Sequence, residues 1–391
     1  MFTLKYTKMN ISPLNNFLIL IIMGVVLLNM PIYTFTAHNF LSPNIWYISI
    51  ITIITFYAVL TSSDGRRLIL FPSKALGLFL LIYMIYTLFN PSVEVFSLVI
   101  IYVVAWMVSL LYLNYGSNTH LFKYLLLALS ILVVFNFFYP GFLYNYEAVG
   151  SVFGRSGATY VNPNMAGEAL LILLILAIGE DKDVIKSWVL AIVFFAIFLT
   201  FSRSAILFTL LLAVLVCLKN LKIFLFFGIG LVFTYIVLLG ILDSSMFSES
   251  TIDNLRGRLD LFTTLNYIDD SANSRLSVVN HSLDHFLKSP VFGNGINYTS
   301  TPSFGGVRPH NTLLLLIVEF GLIGLAMYIY VVVLLLRRAV SKNTVYGFMP
   351  ILMFIFFSMF NHDILSQLNW LVFLILSMSF WRMPHINEPD S

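Results

Sequence analysis

The sequence predicts an all-α polytopic membrane protein, and three observations carry that reading. Of 391 residues, 59% are hydrophobic and only 10% are charged. Soluble domains carry about 25% charge, so these few ionised groups could not cover a water-exposed surface. Aromatic residues make up 16%, which excludes a disordered chain. Apolar runs of membrane length recur from one end to the other. The single cysteine, Cys217, lies inside one of them, so neither an internal disulfide nor a cysteine metal cluster is available.

A membrane helix needs roughly 20 mostly apolar residues. Twelve runs meet or approach that length: 17–36, 44–60, 74–90, 93–113, 121–139, 163–179, 186–201, 204–218, 221–242, 310–336, 344–361 and 366–381. Tight hairpins are expected around Arg203 and Lys219–Lys222. The first run follows Lys5 and Lys8, as in a signal peptide. It is too long for a typical signal core and lacks a small-residue cleavage site, so it reads as a retained helix.

Lysine and arginine collect in cytoplasmic segments. With the N-terminus inside, fourteen of the 21 fall in inner segments, among them Lys5, Arg66, Lys123, Lys182, Arg337 and Arg382. The outer seven are Arg155, Arg203, Arg256, Arg258, Arg275, Lys288 and Arg308, and five of these lie in one long loop. Long loops cross largely regardless of charge. Both termini are therefore expected in the cytoplasm. The net charge of +3 reflects this topology rather than an anionic partner. Trp46, Trp188, Trp370 and Trp381 fall at expected span ends, as in an aromatic belt.

The domain organisation that follows is one integral membrane domain, 1–391, with a periplasmic loop at 243–309 between helices 9 and 10. No internal repeat or low-complexity tract is visible. A structureless loop of that length would be unusual. Ser274 can cap a helix within it, Leu276, Val279, Leu283 and Phe286 recur at helical spacing, and Pro290 stops the run. Such an amphipathic helix is expected on the membrane surface or over a cavity.

Ionisable residues inside spans are costly and are candidates for function. Glu168 and Glu319 lie in the outer parts of their helices, while His362, Asp363 and Arg203 sit at outer turns. The polar site is thus expected to open outward. A transporter would place polar groups near the midplane, often on broken helices. Arg203 stands at a very short outer turn, where the charge rule disfavours it. Its planar fork of donors suits a diphosphate; the alternative is an arginine snorkelling to lipid phosphates. Arg155 occurs in Phe153-Gly154-Arg155-Ser156-Gly157, just before Asn162-Pro163-Asn164, and reads either as an anion contact or as part of a turn and cap. Arg308 and Arg275 are further cation candidates.

His310, at the mouth of a helix in Arg308-Pro309-His310-Asn311-Thr312, is the best candidate base, since an imidazole can take a proton near neutral pH. A capping or interfacial histidine is the alternative. Glu319, Asn311 and Asn164 are supporting candidates. Gly321 and Gly324 suggest tight helix packing. No metal site is expected: Asp269-Asp270 diverge, and no ligand follows at suitable spacing. Neither a P-loop nor a nucleophile elbow is present. No basic surface interleaved with aromatics marks a nucleic-acid partner.

Ser202-Arg203-Ser204, the stretch from Arg275-Leu276 to Ser289-Pro290-Val291-Phe292-Gly293-Asn294-Gly295, and the stretch from His310-Asn311 to Glu319-Phe320-Gly321-Leu322-Ile323-Gly324 resemble the O-antigen ligase/polymerase family. Asn162-Pro163-Asn164-Met165-Ala166 is also similar to it. The resemblance spans roughly 150–330. It implies a GT-C-like glycosyltransferase of the bacterial inner membrane, with a periplasmic active site and no cofactor. The implied donor is a glycan on undecaprenyl diphosphate. The implied acceptor is lipid A-core in a ligase, or another lipid-linked repeat unit in a polymerase. The family's two arginines and one histidine carry over onto Arg203, Arg275 and His310. Ligase is the leading reading, with polymerase the rival enzyme and a lipid or solute transporter the rival non-enzyme. In the leading reading fixed arginines stabilise the departing diphosphate, and His310 deprotonates the acceptor for an inverting attack. The apolar spans and membrane lipids would hold the prenyl tail.

Overall fold

The computed structural model describes residues 13–61, 93–115, 120–145, 155–180, 189–217, 270–305, 308–342, 345–361 and 363–379, with scattered helical residues between 77 and 86 and between 228 and 256. Among the described residues the chain is all-helical, without a strand. The expected runs 74–90 and 221–242 lie largely outside these residues, as do Trp188, Trp381, His362 and Asp269.

The remaining apolar runs appear as helices close to their expected limits. These are α1 (Pro13–Leu27), α2 (Met30–His38), α3 (Pro43–Thr61), α4 (Val93–Tyr115), α5 (Leu121–Phe138) and α6 (Pro163–Glu180). After them come α7 (Val189–Leu199), α8 (Arg203–Cys217), α9 (Asp270–Lys288), α10 (Thr312–Lys342), α11 (Val345–Phe360) and α12 (Leu368–Ser379). Four of these are long and apolar enough to cross a membrane: α4, α5, α6 and α10. The α1–α2 pair raises the number to five if it counts as one bent span. The expected count of twelve spans is not reached among the described residues. Within the described residues α7 and α12 hold 11 and 12 residues, fewer than the roughly 20 of a span.

Two departures have local causes. The run 17–36 is not one helix: α1 and α2 meet at a 53° bend. Asn29 there adopts a left-handed backbone (φ 57°), and Pro31 at the start of α2 cannot continue the hydrogen-bond ladder. In the loop, α9 begins at Asp270, so Ser274 lies inside the helix and is not its cap.

Helices α6 and α12 form the centre of the bundle. Each is apolar all round, and every residue of α12 is buried, as is most of α6. A helix buried on all sides needs no polar face. Helix α12 packs on α4 and α6, α5 flanks α6, and α11 joins α10 to α8. Trp370, expected at a span end, is the third residue of α12, and its side chain is fully buried among the helices rather than facing outward. One apolar cluster runs through all of these helices.

Candidate functional site

The site is built at the end of the bundle where α7 stops and α6, α8, α10 and α12 start. Asn162 accepts the Asn164 N–H (2.9 Å) and caps α6 ahead of Pro163. Four residues into this helix, Gly167 lets the α7–α8 turn approach: a Cβ there would lie 2.7 Å from Ala205 Cβ and 3.2 Å from Ser202 Cβ. The turn is tight, with Phe201 in a left-handed conformation (φ 48°) that costs a non-glycine residue of order 1–3 kcal/mol.

Arg155 holds that turn. Its Nε donates to the Thr200 carbonyl (3.0 Å), and its Nη2 to the Phe201 carbonyl (3.2 Å) and Asn164 Oδ1 (2.6 Å). The Ser156 N–H adds a bond to the Leu199 carbonyl (3.1 Å). The guanidinium thus satisfies carbonyls left over at the C-terminal end of α7. Arg203 follows as the first residue of α8, with an exposed side chain. Its neighbour Ser202 caps α8 through the Ala205 N–H (3.4 Å).

On the other side of α6, Glu168 is buried and accepts Asn361 Nδ2 (2.7 Å) and Trp370 Nε1 (3.0 Å). The Asn361 carbonyl accepts Thr312 Oγ1 (3.2 Å), which in turn receives the Ile364 N–H (3.4 Å). The start of α10 is thereby tied to α6. Asn311 caps α10 through the Leu314 N–H (3.1 Å). His310, immediately before it, is exposed. In the same α11–α12 loop, Asp363 accepts the Leu365 and Ser366 N–H groups (3.2 Å each). Burial pushes its pKa above the ordinary aspartate value, while the hydrogen bond from Ser366 and the positive charge of Arg308 work against the rise.

Helix α9 and the turn behind it cover the first half of α10, which is broken at Gly321 (φ 62°, ψ −142°). The break frees the Val318 and Glu319 carbonyls, and these accept the Asn294 (2.9 Å) and Gly295 (3.0 Å) N–H groups. In exchange, the Leu322 N–H donates to the Pro290 carbonyl (2.8 Å). Glycine is required at both faces of this joint. A Cβ on Gly321 would stand 2.6 Å from the Pro290 oxygen, and one on Gly293 would collide with the Glu319 carbonyl. Gly321 therefore admits a turn of the loop, and Gly324 lets the chain after the break close on the Leu316 carbonyl of α10 itself; neither is spaced for a second helix.

Glu319, buried beneath, accepts Thr299 Oγ1 (2.7 Å). Arg308 donates to Ser300 Oγ and Asn297 Oδ1 in the same segment. Above it, His285 on α9 contacts Tyr298 Oη (2.8 Å), and His281 contacts the Phe304 carbonyl (2.7 Å). Burial, then the nearby Lys288 and His281, lower the pKa of His285 below the ordinary imidazole value, against a smaller opposite effect of Asp284.

The expected residues thus separate by role. Arg203 and His310 are exposed at one end of the bundle, on helix starts joined through Arg155, Asn164, Glu168, Asn361 and Thr312. Arg275 lies within α9, and its side chain is outside the described residues. Arg155, expected to contact an anion, clamps backbone carbonyls. Glu319, Asn311 and Asn164 support turns and caps. Asn361 and Thr299 were not singled out from the sequence, and Trp370 only as a member of an aromatic belt. Only the burial of Glu168 and Glu319 reveals that these carboxylates need donors, and those donors come from remote segments.

This fold and site define a multi-pass helical membrane protein with an arginine-bearing turn and a histidine at one end of the bundle, and with a loop helix stitched to a broken span. Residues 188–329, from α7 through the break in α10, match the family model described as O-Antigen ligase. The matched residues include Ser202-Arg203-Ser204, the Ser289–Gly295 turn and the His310–Gly324 stretch, and the match supports the resemblance to the O-antigen ligase/polymerase family, whose members are glycosyltransferase-like enzymes. No curated protein matches the chain. Arg203, Arg275, Arg308, His310, Asn311 and Glu319 fall within the matched residues; Arg155 and Asn164 precede them.

Proposed function

We propose that the protein is an inverting membrane glycosyltransferase. It takes a glycan from undecaprenyl diphosphate at the periplasmic face and delivers it to lipid A-core, as an O-antigen ligase. The observation that carries the proposal is the fixed α7–α8 turn, which presents Arg203 at the end of the bundle where His310 opens α10. The loop helix bearing Arg275 covers the adjacent part of α10.

In the reaction, an acceptor hydroxyl attacks the anomeric carbon from the face opposite the diphosphate. The new glycosidic C–O bond forms as the bond to the diphosphate oxygen breaks. His310 takes the hydroxyl proton, and the bonding pair leaves with the diphosphate. Negative charge grows on that leaving group, so guanidinium groups fixed beforehand stabilise the transition state more than the ground state. Arg203 and Arg275 fill that role. Arg155 serves it indirectly, by holding the turn, and Arg308 lies at the rim beside Asp363.

Alanine at Arg203, Arg275 or His310 is expected to abolish transfer with membrane insertion intact; full activity in all three variants would remove the proposal. Deleting the gene separates the branches. Loss of long glycan on lipid A, with lipid-linked polymer accumulating, marks a ligase, whereas one repeat unit left on lipid A marks a polymerase. Proteoliposomes given donor and acceptor form a glycosidic bond in either case, and a transporter forms none.

A further inference from the structure

The geometry points to a lipid contact outside the transfer site: the end of α9 and the turn after it, from Leu283 to Phe292, are embedded among the acyl chains of the leaflet on the α9 side of the membrane. The exposure pattern is the first observation. Leu283, Leu287, Val291 and Phe292 are 42%, 69%, 49% and 66% exposed, while the buried face of α9 carries Ser282 and His285. Water would favour the reverse arrangement. The polar Asn280, exposed one turn earlier, marks where the helix leaves the hydrocarbon. Asp284 and Lys288 form a neighbouring line, and Lys288 Nζ turns toward His285 Nε2 (3.4 Å), away from the apolar edge.

Depth is the second observation. Arg337 and Arg338 mark one end of the apolar part of α10. About 20 residues span the hydrocarbon, which places its other boundary near Ile317. The turn is bonded to Val318, Glu319 and Leu322, just inside that boundary. Leu322, Ile329 and Leu336, seven residues apart, are exposed apolar residues along one line of α10 (49%, 51% and 43%), and the first of them donates its N–H to the Pro290 carbonyl. The apolar edge of the loop is therefore continuous with the lipid-facing stripe of a span.

The backbone agrees with this placement. Irregular chain at membrane depth persists only where protein satisfies its polar groups. Pro290 brings no N–H, and its carbonyl takes the Leu322 N–H. The Phe292 carbonyl accepts Tyr86 Oη (2.6 Å), and the Gly293 carbonyl accepts Ser289 Oγ (2.6 Å). The Gly293 N–H donates to the Ser289 carbonyl (2.9 Å). A helix end dipping a few ångströms below the headgroups, with its carbonyls supplied by the bundle, is an interfacial anchor.

Spin labels test this in the full chain reconstituted into phosphatidylethanolamine–phosphatidylglycerol vesicles. With Cys217→Ser as background, single labels are placed through Leu287→Cys and Phe292→Cys. Ile329→Cys is the lipid reference and Ser277→Cys the water reference. Collisions with dissolved oxygen and with a water-soluble nickel chelate are then compared. The expected result is that positions 287 and 292 behave like 329, with oxygen dominating. Nickel dominating would overturn the anchor. Low accessibility to both reagents would overturn it too, since a protein surface, such as a second copy of the chain, would then cover the edge. Val291→Cys gives the same readout if Phe292→Cys fails to insert. The measurement needs no transfer activity, so it stands apart from the proposed function.

Discussion

The α7–α8 turn and the α9–α10 joint solve the same problem by opposite means. Each is an irregular stretch of backbone packed against helices, and each depends on carbonyls that a helix cannot satisfy itself. At the turn the carbonyls belong to a helix end, and a charged side chain, Arg155, takes them. At the joint they belong to the interior of α10, exposed by the break at Gly321, and backbone N–H groups of the loop take them. The turn tolerates a phenylalanine at positive φ because side chains brace it from two directions. The joint has glycine on both faces, because backbone meets backbone with no room for Cβ. The turn is thus fixed by charge, whereas the joint is fixed by shape.

Substitutions can break this contrast, beginning with the joint. Gly293→Val is expected to be the most damaging. It adds a side chain to a left-handed backbone and drives it into the Glu319 carbonyl, for a loss of about 3 kcal/mol, the upper end for such strain. Limited proteolysis should then cut the α9 segment while the rest of the bundle persists; unchanged protection would show that the joint is not fixed by shape.

Next comes Glu168→Leu, which strands the Asn361 and Trp370 donors in the core at a cost of about 2 kcal/mol. The fall should appear in thermal unfolding in detergent, with Glu168→Gln in between. At the turn, Arg155→Ala removes three charge-assisted bonds and should lower stability by about 2 kcal/mol. Arg308→Ala, on an exposed side chain, should cost about 1 kcal/mol or less. Equal losses at the two arginines would mean that the clamp on α7 contributes nothing of its own.

The smallest effect concerns pH. The pKa of His285 is lowered in the folded protein from 6.5, so the unfolded segment binds the proton more readily. Stability is therefore fully present above that value and is lost as pH falls below it, through the lower pKa of the folded state. Amide exchange along α9 should quicken on acidification below about pH 6.5, and His285→Gln should remove that dependence.

Most helix limits were legible because hydropathy alone sets where an apolar segment can lie, as for α5 and α6. The bend at Asn29 was not, since an apolar run reads the same whether straight or broken. Arg203 stood out by its position at a very short turn between apolar runs, and His310 by standing at the mouth of a helix. The role of Arg155 was hidden: a guanidinium suits phosphate and carbonyl oxygen alike, and only the fold shows that Thr200 and Phe201 supply the oxygens. The stripe of Leu276, Val279, Leu283 and Phe286 gave the helical period of α9 correctly. It did not give which side would be covered, because hydrocarbon and protein core both accept leucine. The Ser289–Gly295 and Glu319–Gly324 stretches were recognisable as motifs, yet their pairing across a broken helix is a contact between distant segments.

The interruption at Gly321 also has a mechanical side. The piece of α10 from Thr312 to Phe320, which starts next to the imidazole, ends in oxygen atoms occupied by the covering loop. Pulling the loop off alone would leave two bare acceptors in an oily surrounding. Any opening that avoids this must swing the short piece and its cover together about the glycine, so access and the position of the histidine change in one stroke.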